Sequence, residues 1–514
     1  MPRDQLVLIP TALEAIIAED HPVRLVDEIL DKLVWAEWEA SYHGSRGQPP
    51  IHPSVMAKVL LFAMIRRIRS SRQIEYELKH SIDFMWLTSG RRIDHTTISE
   101  FRRMHSQELR GIFRQMVKLA IDLNVANLAE LCIDGTRVLG NANRYKTWTT
   151  KRLAKALEQL DEQIAEALES LEVNDALNED LLGDDVSADR LPAAVADLKT
   201  RREQLAAHME TTQAMDSTRK SNGTKGPAQL PKTDTDSRIL PNKEGGYATN
   251  YTPMATTETG FGLIVAADVV IGNVEHNQLP TIIDVVQSDY GIQVERVLAD
   301  AAYTTGENLT TAEQQDVELI GPMPEPKCDD NPASREDPTQ PVAEADLDRL
   351  PINAQTKRFD KSAFCYDEDA DAYYCPAGKP LPYRTKKTAT RDGKPVRQKV
   401  YTCNDCQGCP LAERCRQNPN SARGRELKQD EHEGARRRHR ERMSQLSSKE
   451  AYLRRPHFGE LPFAVIKNHF DMRRFLLRGI EGVGQEWQWG CTAFNLKKLM
   501  VRWGELRRNF ANTN

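Results

Sequence analysis

Long apolar runs are missing from this 514-residue chain: no stretch of 18 consecutive apolar residues occurs, which argues against a membrane-spanning helix. The opening MPRDQLVLIPTALEAIIAED lacks the basic, apolar, small-residue order of a secretory leader, so the expectation is a soluble intracellular protein. Net charge is also scarce. The formal value is -5, from 70 basic and 75 acidic residues, but along the chain the signs separate. Residues 1–40 hold 3 Lys or Arg against 9 Asp or Glu, residues 41–120 hold 14 against 6, and residues 421–514 hold 20 against 11. Two basic blocks flanking an acid-richer middle suit a protein that grips a phosphate backbone, although solvated helix faces would give the same totals. The length allows about three domains at roughly 150 residues each, with ample chain to bury a core.

What is present is organised around residues 131–148, LCIDGTRVLGNANRYKTW. Asp134 closes a short apolar run and Gly135 follows at once, the pattern of a buried strand ending at a sheet edge. Asp300 ends a second such run in VERVLAD, and Glu460 lies in RRPHFGELPFAVIKNHF. Read together and without histidine ligands, these carboxylates suggest a magnesium site. Taken singly, an Asp at a strand end often only caps the following turn, and surface glutamates are abundant. Asp268 lies inside its strand, in LIVAADVVIG, and is less suited.

In chain order, residues 1–127 read as an all-helical N-terminal, DNA-binding domain. His52 or Ser54 is placed to cap the apolar helix that follows, with Pro53 in its first turn. Asp94 and Thr96 precede a helix bearing Arg102 and Arg103, an arrangement like a helix-turn-helix that could lie on DNA; a helical packing domain is the plainer alternative. Residues 128–150 open the core. Residues 151–230 follow as a coiled-coil-like arm, with Leu153, Leu157, Leu160, Ile164, Leu168 and Leu171 at spacings of three and four, and a flexible linker. An acidic loop in the arm argues against direct DNA contact there.

Over residues 231–322 strands and helices alternate. The order strand, hairpin, helix, strand, helix, strand predicts a mixed α/β (α+β) sheet of ribonuclease H-like order, with the arm inserted after the first strand. Residues 323–425 begin with an acidic, proline-containing excursion expected to be disordered. Cys375, Cys403, Cys406, Cys409 and Cys415 then fit a small zinc-ribbon-like insertion. A tetrahedral zinc needs four thiolates. Cys375, Cys406, Cys409 and Cys415 are the chosen set, Cys403 is the rival, and Cys365 is a sixth candidate; unliganded thiols are the alternative. Residues 426–514 return to helix, with Pro462 expected in a helix's first turn and Glu460 and Lys467 seven residues apart on one face. The last helix carries Glu486 and Asn495.

Phosphodiester cleavage needs an activated water and a stabilised leaving oxygen, which two magnesium ions roughly 3.5 to 4 Å apart provide. Asp134 would bridge both ions, with Asp300 and Glu460 holding one each. A released 3′ hydroxyl could be activated by the same pair to join a second DNA.

The segments IDGTRVLGNANRYKTW, VLADAAYTTGEN, CPAGKPL with the later cysteines, and FLLRGIEGVGQEWQWGCTAFNLKKL together resemble bacterial insertion-sequence transposases of the DDE type. The resemblance covers nearly the whole chain. It implies a ribonuclease H-like catalytic core, magnesium, binding to double-stranded DNA at terminal inverted repeats and target sites, and cut-and-paste movement in a bacterial, nucleoid-associated setting. Tyr452, Arg455, Glu460 and Lys467 resemble the family's spaced signature with one extra residue between Arg and Glu. Arg455 and Lys467 would then contact phosphates, with Glu486 the runner-up third acid. Two DNA ends held together imply a homodimer on DNA. A decayed transposase acting as a DNA-binding regulator, and a structure-directed nuclease on the same fold, are the competing readings.

Overall fold

The computed structural model describes residues 12–40, 51–182, 193–221, 223–242, 245–323, 331–391 and 394–513. The protein is mixed α/β, about half helical, with several sheets. Helices α1 (Leu13–Ile16), α2 (Pro22–Asp31), α3 (Ala36–Ala40), α4 (Pro53–Ile65), α5 (Ser71–His80), α6 (Ile82–Leu87), α7 (His95–Met104) and α8 (Ser106–Asp122) come first. Strands β1 (Glu130–Gly135), β2 (Val138–Leu139) and β3 (Thr147–Trp148) follow, then the long helices α9 (Thr150–Leu182) and α10 (Ala193–Ser221). Next are β4 (Leu230–Pro231), β5 (Arg238–Pro241), β6 (Tyr247–Glu258) and β7 (Ile264–Val270), and then α11 (Leu279–Tyr290), β8 (Arg296–Leu298), α12 (Gly306–Gln314) and β9 (Glu318–Ile320). Strands β10 (Cys365–Asp367), β11 (Ala372–Tyr374), β12 (Pro380–Arg391) and β13 (Lys394–Thr402) lead through α13 (Ala412–Cys415) to β14 (Glu426–Asp430). The chain closes with α14 (Glu433–Ser444), α15 (Leu446–Leu453), α16 (Arg455–His469) and α17 (Gly479–Thr513).

Two compact units divide these elements: residues 1–127, 134–275 and 459–514 in the first, and 128–133 and 276–458 in the second. In the first, α4 is buried on nearly every side because Met56, Val59, Leu60, Leu61 and Phe62 leave no polar stripe. His52 caps it as the sequence suggests, its ring accepting from the Ser54 amide, with Pro53 in the first turn. The helix α17 packs against α2, α4, α7, α8 and β7. Its Trp487 donates to the Met254 carbonyl at 2.9 Å, and buried Asn495 bonds both the amide and the carbonyl of Ile264, at 2.9 and 2.7 Å. A polar side chain can be buried there because it replaces missing strand partners. The β6–β7 hairpin is antiparallel, and β2 and β5 also pair with β6.

The arm is a helical pair as expected, α9 and α10 meeting through Leu153, Leu160 and Leu205 with Leu157, Ile164 and Met209 beside them. Most of its acidic loop, residues 183–189, lies outside the described residues. The linker expectation is overturned at its second half. Leu230 and Pro231 pair with Trp148 and Thr147. Asp234 accepts from the Gly479 amide at 3.1 Å and Asp236 from the Ile480 amide at 2.8 Å, so this stretch caps the start of α17. Composition read as flexible is here held by partners far away in sequence.

In the second unit, residues 130–132 of β1 run parallel to β8, and β8 parallel to β9, with α12 as the crossover between them. The antiparallel order β10-β11-β12-β13-β14 forms a separate meander. Residues 324–330 of the expected disordered excursion lie outside the described residues, but 331–350 are ordered. Ala333, Val342 and Leu350 join Phe359, Phe364, Tyr373, Leu381 and Tyr401 in one small core, and Arg335 donates to the carbonyls of Pro338, Gln340 and Cys375. Acidic composition hid three apolar anchors. Gly378 fits this packing because a Cβ there would stand 2.1 Å from the Thr339 carbonyl oxygen, and its φ is +75°.

One further expectation fails: Pro462 lies inside α16, not in its first turn. A proline there gives up one helix hydrogen bond. No helix among the described residues is long and apolar enough to cross a membrane.

Candidate active site

Asp134 stands at the end of β1 in the first unit, nearly buried, with one carboxylate oxygen accepting from the Gly135 amide at 2.8 Å. The chain then turns so that the Thr136 amide donates to the Pro253 carbonyl at 2.9 Å. Lys467, on α16, reaches the Thr136 hydroxyl at 2.6 Å. The predicted lysine is therefore tied to the loop that leaves the predicted aspartate. Glu460, on the same helix two turns earlier, is exposed to solvent.

Glu275 was missed in the sequence. Its Cβ and Cγ pack about 3.7 and 3.6 Å from where a Gly135 Cβ would lie, and its buried Oε2 has no hydrogen-bond partner among the described residues. An orphaned carboxylate oxygen beside the Asp134 turn is unusual, since buried polar atoms are normally paired. Only its place just after VVIGNV, at the far end of the hairpin, could have hinted at it.

Asp300, in the second unit, lies two residues beyond β8. Its Oδ1 accepts from the Ala302 amide at 2.9 Å, a turn-capping bond, while Oδ2 faces the buried guanidinium of Arg455 at 3.9 Å. The structure thus brings Asp300 and Arg455 together. Among the described residues, no group of three or more His, Cys, Asp or Glu is placed to hold a metal ion.

The runner-up Glu486 is engaged elsewhere. It is 3% exposed, ion-paired with Arg69, and accepts the Leu476 and Leu477 amides at 2.9 and 3.0 Å. Arg69 also donates to the carbonyls of Asp471 and Arg474, and Arg67 to those of Asn468 and His469. Arg102 turns into this cluster, donating to the Arg69 carbonyl at 2.7 Å, and its burial lowers its pKa. Arg103 beside it is exposed. The helix bearing both is started by Asp94, whose carboxylate accepts the Thr96 and Thr97 amides at 2.8 and 3.1 Å. Hydrogen bonds from the Thr96 and Thr97 hydroxyls hold that carboxyl far below the usual carboxylate range.

The cysteines gather in the second unit. Cys375, Cys403, Cys406, Cys409 and Cys415 line one cavity of about 20 Å³, enough for a water-sized occupant. Cys365 lies beside Arg335, which also bonds the Cys375 carbonyl, but does not line this cavity. Burial pushes the Cys403 thiol up to about 12 and Cys415 to about 11, and raises Cys375. Neighbouring thiols contribute to all three shifts, which reflects their mutual approach. The cavity wall depends on Gly424, whose added Cβ would stand 1.6 Å from the Cys403 carbonyl oxygen.

Comparison with known proteins finds two transposase families. A transposase DDE domain matches residues 374–500, and a transposase domain of the DUF772 type matches residues 11–104. The first segment contains the five cysteines, Glu460, Lys467 and Glu486, but does not reach Asp134 or Asp300. Among solved structures, a cryo-EM structure of the piggyBac transposase synaptic complex with hairpin DNA is similar at a TM-score of 0.30 and 10% identity, covering 94% of this chain and 74% of that one. No curated protein matches the chain.

Proposed function

A DDE-type insertion-sequence transposase is what these family matches support, and from that premise we propose that the chain moves its element by cut-and-paste. It would cleave double-stranded DNA at terminal inverted repeats and join the ends to target DNA. One observation carries the reading. Helix α16 carries two cations near the strand-end motifs: Lys467 is bonded to Thr136, two residues after Asp134, and Arg455 faces Asp300 at 3.9 Å. Cations so placed can hold phosphate oxygens against carboxylates that would otherwise repel them.

The donor chemistry fits a divalent ion: Asp134 and the orphaned Glu275 oxygen are hard ligands, suited to magnesium. By the family resemblance, rather than by any grouping in the structure, Asp134, Asp300 and Glu460 are the acids that would hold two magnesium ions, which when bound supply an activated water and stabilise the leaving oxygen. The chain's own part is positional. Thr136 and Lys467 would fix the loop after Asp134, and Arg455 would orient the Asp300 carboxylate. Exposed Arg103 would contact the DNA backbone, with Arg102 setting its helix through the Arg69 carbonyl. The alternation of β1, β8 and β9 with α11 and α12 supports a ribonuclease H-like core. The thiol-lined cavity fits one structural zinc, held by Cys375, Cys406, Cys409 and Cys415 with Cys403 as the alternative ligand. Joining two ends calls for a homodimer on DNA.

The test is cleavage of duplex DNA bearing the element's ends, with magnesium, by the parent and by Asp134→Asn. Specific products from the parent alone support the reading. Specific binding without products would favour a decayed, regulatory transposase.

A further inference from the structure

We propose that the hairpin of β12 and β13 is a DNA-gripping β-ribbon, an inference that rests on the transposase reading and names one of its contact surfaces. Residues 380–402 carry seven Lys or Arg, namely Arg384, Lys386, Lys387, Arg391, Lys394, Arg397 and Lys399, against one acid, Asp392. The chain as a whole has more acids than bases, so this net of +6 in 23 residues is local.

The pairing turns that composition into a shape. Strand β11 covers β12 only from Pro380 to Pro382, and β14 covers β13 only from Gln398 to Thr402. Thr385, Lys386 and Lys387 face β13 residues that β14 also pairs, and beyond them β12 and β13 pair with each other alone, from Thr388↔Arg397 to Arg391↔Lys394. At about 3.3 Å per residue, the four residues 388–391 carry a two-stranded tip about 13 Å beyond the three-stranded part. Along the hairpin as a whole, Arg384, Thr385, Lys386, Lys387, Thr388 and Arg397 are exposed. An isolated two-stranded hairpin is marginal in water, and among the described residues no third strand pairs with this tip.

Like charges meet across the two strands. Lys386 lies directly across from Lys399, and Arg397 follows two residues along on the same face. Like charges in directly opposed positions destabilise a pair of strands. Edge lysines that merely discourage aggregation do not need to face one another. The acids nearby sit at the base: Glu426 lies 4.0 Å from Arg384 and 3.7 Å from Lys387, and Asp371 lies 3.1 Å from Lys399. Among the described residues no acid pairs with Lys386 or Arg397. The base itself is held firmly, with Cys375 just before the ribbon and Cys403 just after it on the wall of one cavity.

A firmly based hairpin whose seven cations outnumber the two acids paired with them at its base fits a regular polyanion. Duplex DNA presents one negative charge per about 1.7 Å of axis, and its major groove admits a two-stranded ribbon. Alternating threonines and long basic side chains suit phosphate oxygens without demanding a particular sequence.

The experiment measures binding of the full-length protein to a fluorescent 40-base-pair duplex of random sequence by anisotropy, across a series of salt concentrations. Two variants are compared with the parent. One carries Lys386→Gln, Lys387→Gln and Arg397→Gln; the other carries Lys386→Arg, Lys387→Arg and Arg397→Lys. Loss of three phosphate contacts should make the slope of log affinity against log salt shallower by about 2.7, at about 0.9 per contact. The charge-conserving variant should keep the parent slope, and both should melt like the parent because the side chains are exposed. A glutamine variant with the parent's affinity and slope overturns the ribbon and leaves the transposase reading standing. A parent with no salt-dependent DNA binding overturns both, and selective loss of binding to an acidic polypeptide, with DNA binding intact, would reassign the surface.

Discussion

Helices α16 and α17 each carry a late glutamate, and the protein treats the two in opposite ways. Glu460 is exposed on α16, seven residues before a lysine bound to the loop that follows Asp134. Glu486 is buried on α17, saturated by Arg69 and two backbone amides. An acid that must meet metal and substrate has to be reachable from solvent, whereas an acid that fixes a fold can be buried when its lone pairs are taken. Glu486 thus serves architecture on α17, and the proposed chemistry belongs to α16.

The contrast can be broken by exchanging the outcomes. Glu460→Gln should lower magnesium-dependent cleavage by about a thousandfold, in the range of losing one transition-state stabilising group, with little change in thermal stability. Glu486→Gln should do the reverse. Leaving Arg69 buried without its partner should cost about 3–5 kcal/mol in a urea titration, while the residual folded fraction still cuts. A Glu486→Gln protein as stable as the parent would remove the architectural assignment.

The cysteine cavity sharpens the same distinction between binding and holding. Metal analysis of protein prepared without chelator should give about one zinc per chain, and Cys415→Ser should lose it together with part of the unfolding cooperativity. Full zinc content in that variant would hand the fourth position to Cys403. The smallest effect is expected at Asp94. Its replacement by Ala should cost about 1 kcal/mol as a lost helix cap. Because its folded pKa is depressed, the contribution is complete above the unfolded value near 4 and fades as pH falls toward the lower folded value. Acid titration of stability for parent and variant should therefore converge at low pH.

Much of this was legible in the residues. Apolar runs ended by Asp134 and Asp300 announced strand ends, and the 3.6-residue spacing of Leu153, Leu157 and Leu160 announced the arm, because burial imposes both periods. The cysteines lie around one cavity as their spacing suggested. What stayed hidden depends on distant partners. Nothing local in PKTDTD says that Asp234 and Asp236 meet the start of α17, 245 and 244 residues on. The acidic stretch after residue 330 concealed the few apolar anchors that order it. Arg102 and Arg103 are neighbours in a basic patch, yet one faces inward to Arg69 and the other to solvent, which a helix pattern alone does not assign. Glu275 gave no periodic signal, since its interest is a single orphaned oxygen beside Gly135.

The most direct measurement is magnesium-dependent cutting of labelled DNA containing the element's ends by the parent, Asp134→Asn, Glu460→Gln and Glu486→Gln, each normalised to folded protein. The account predicts specific products from the parent and from Glu486→Gln, and none from the other two. Cutting retained by Asp134→Asn or Glu460→Gln, or lost only in Glu486→Gln, would contradict it.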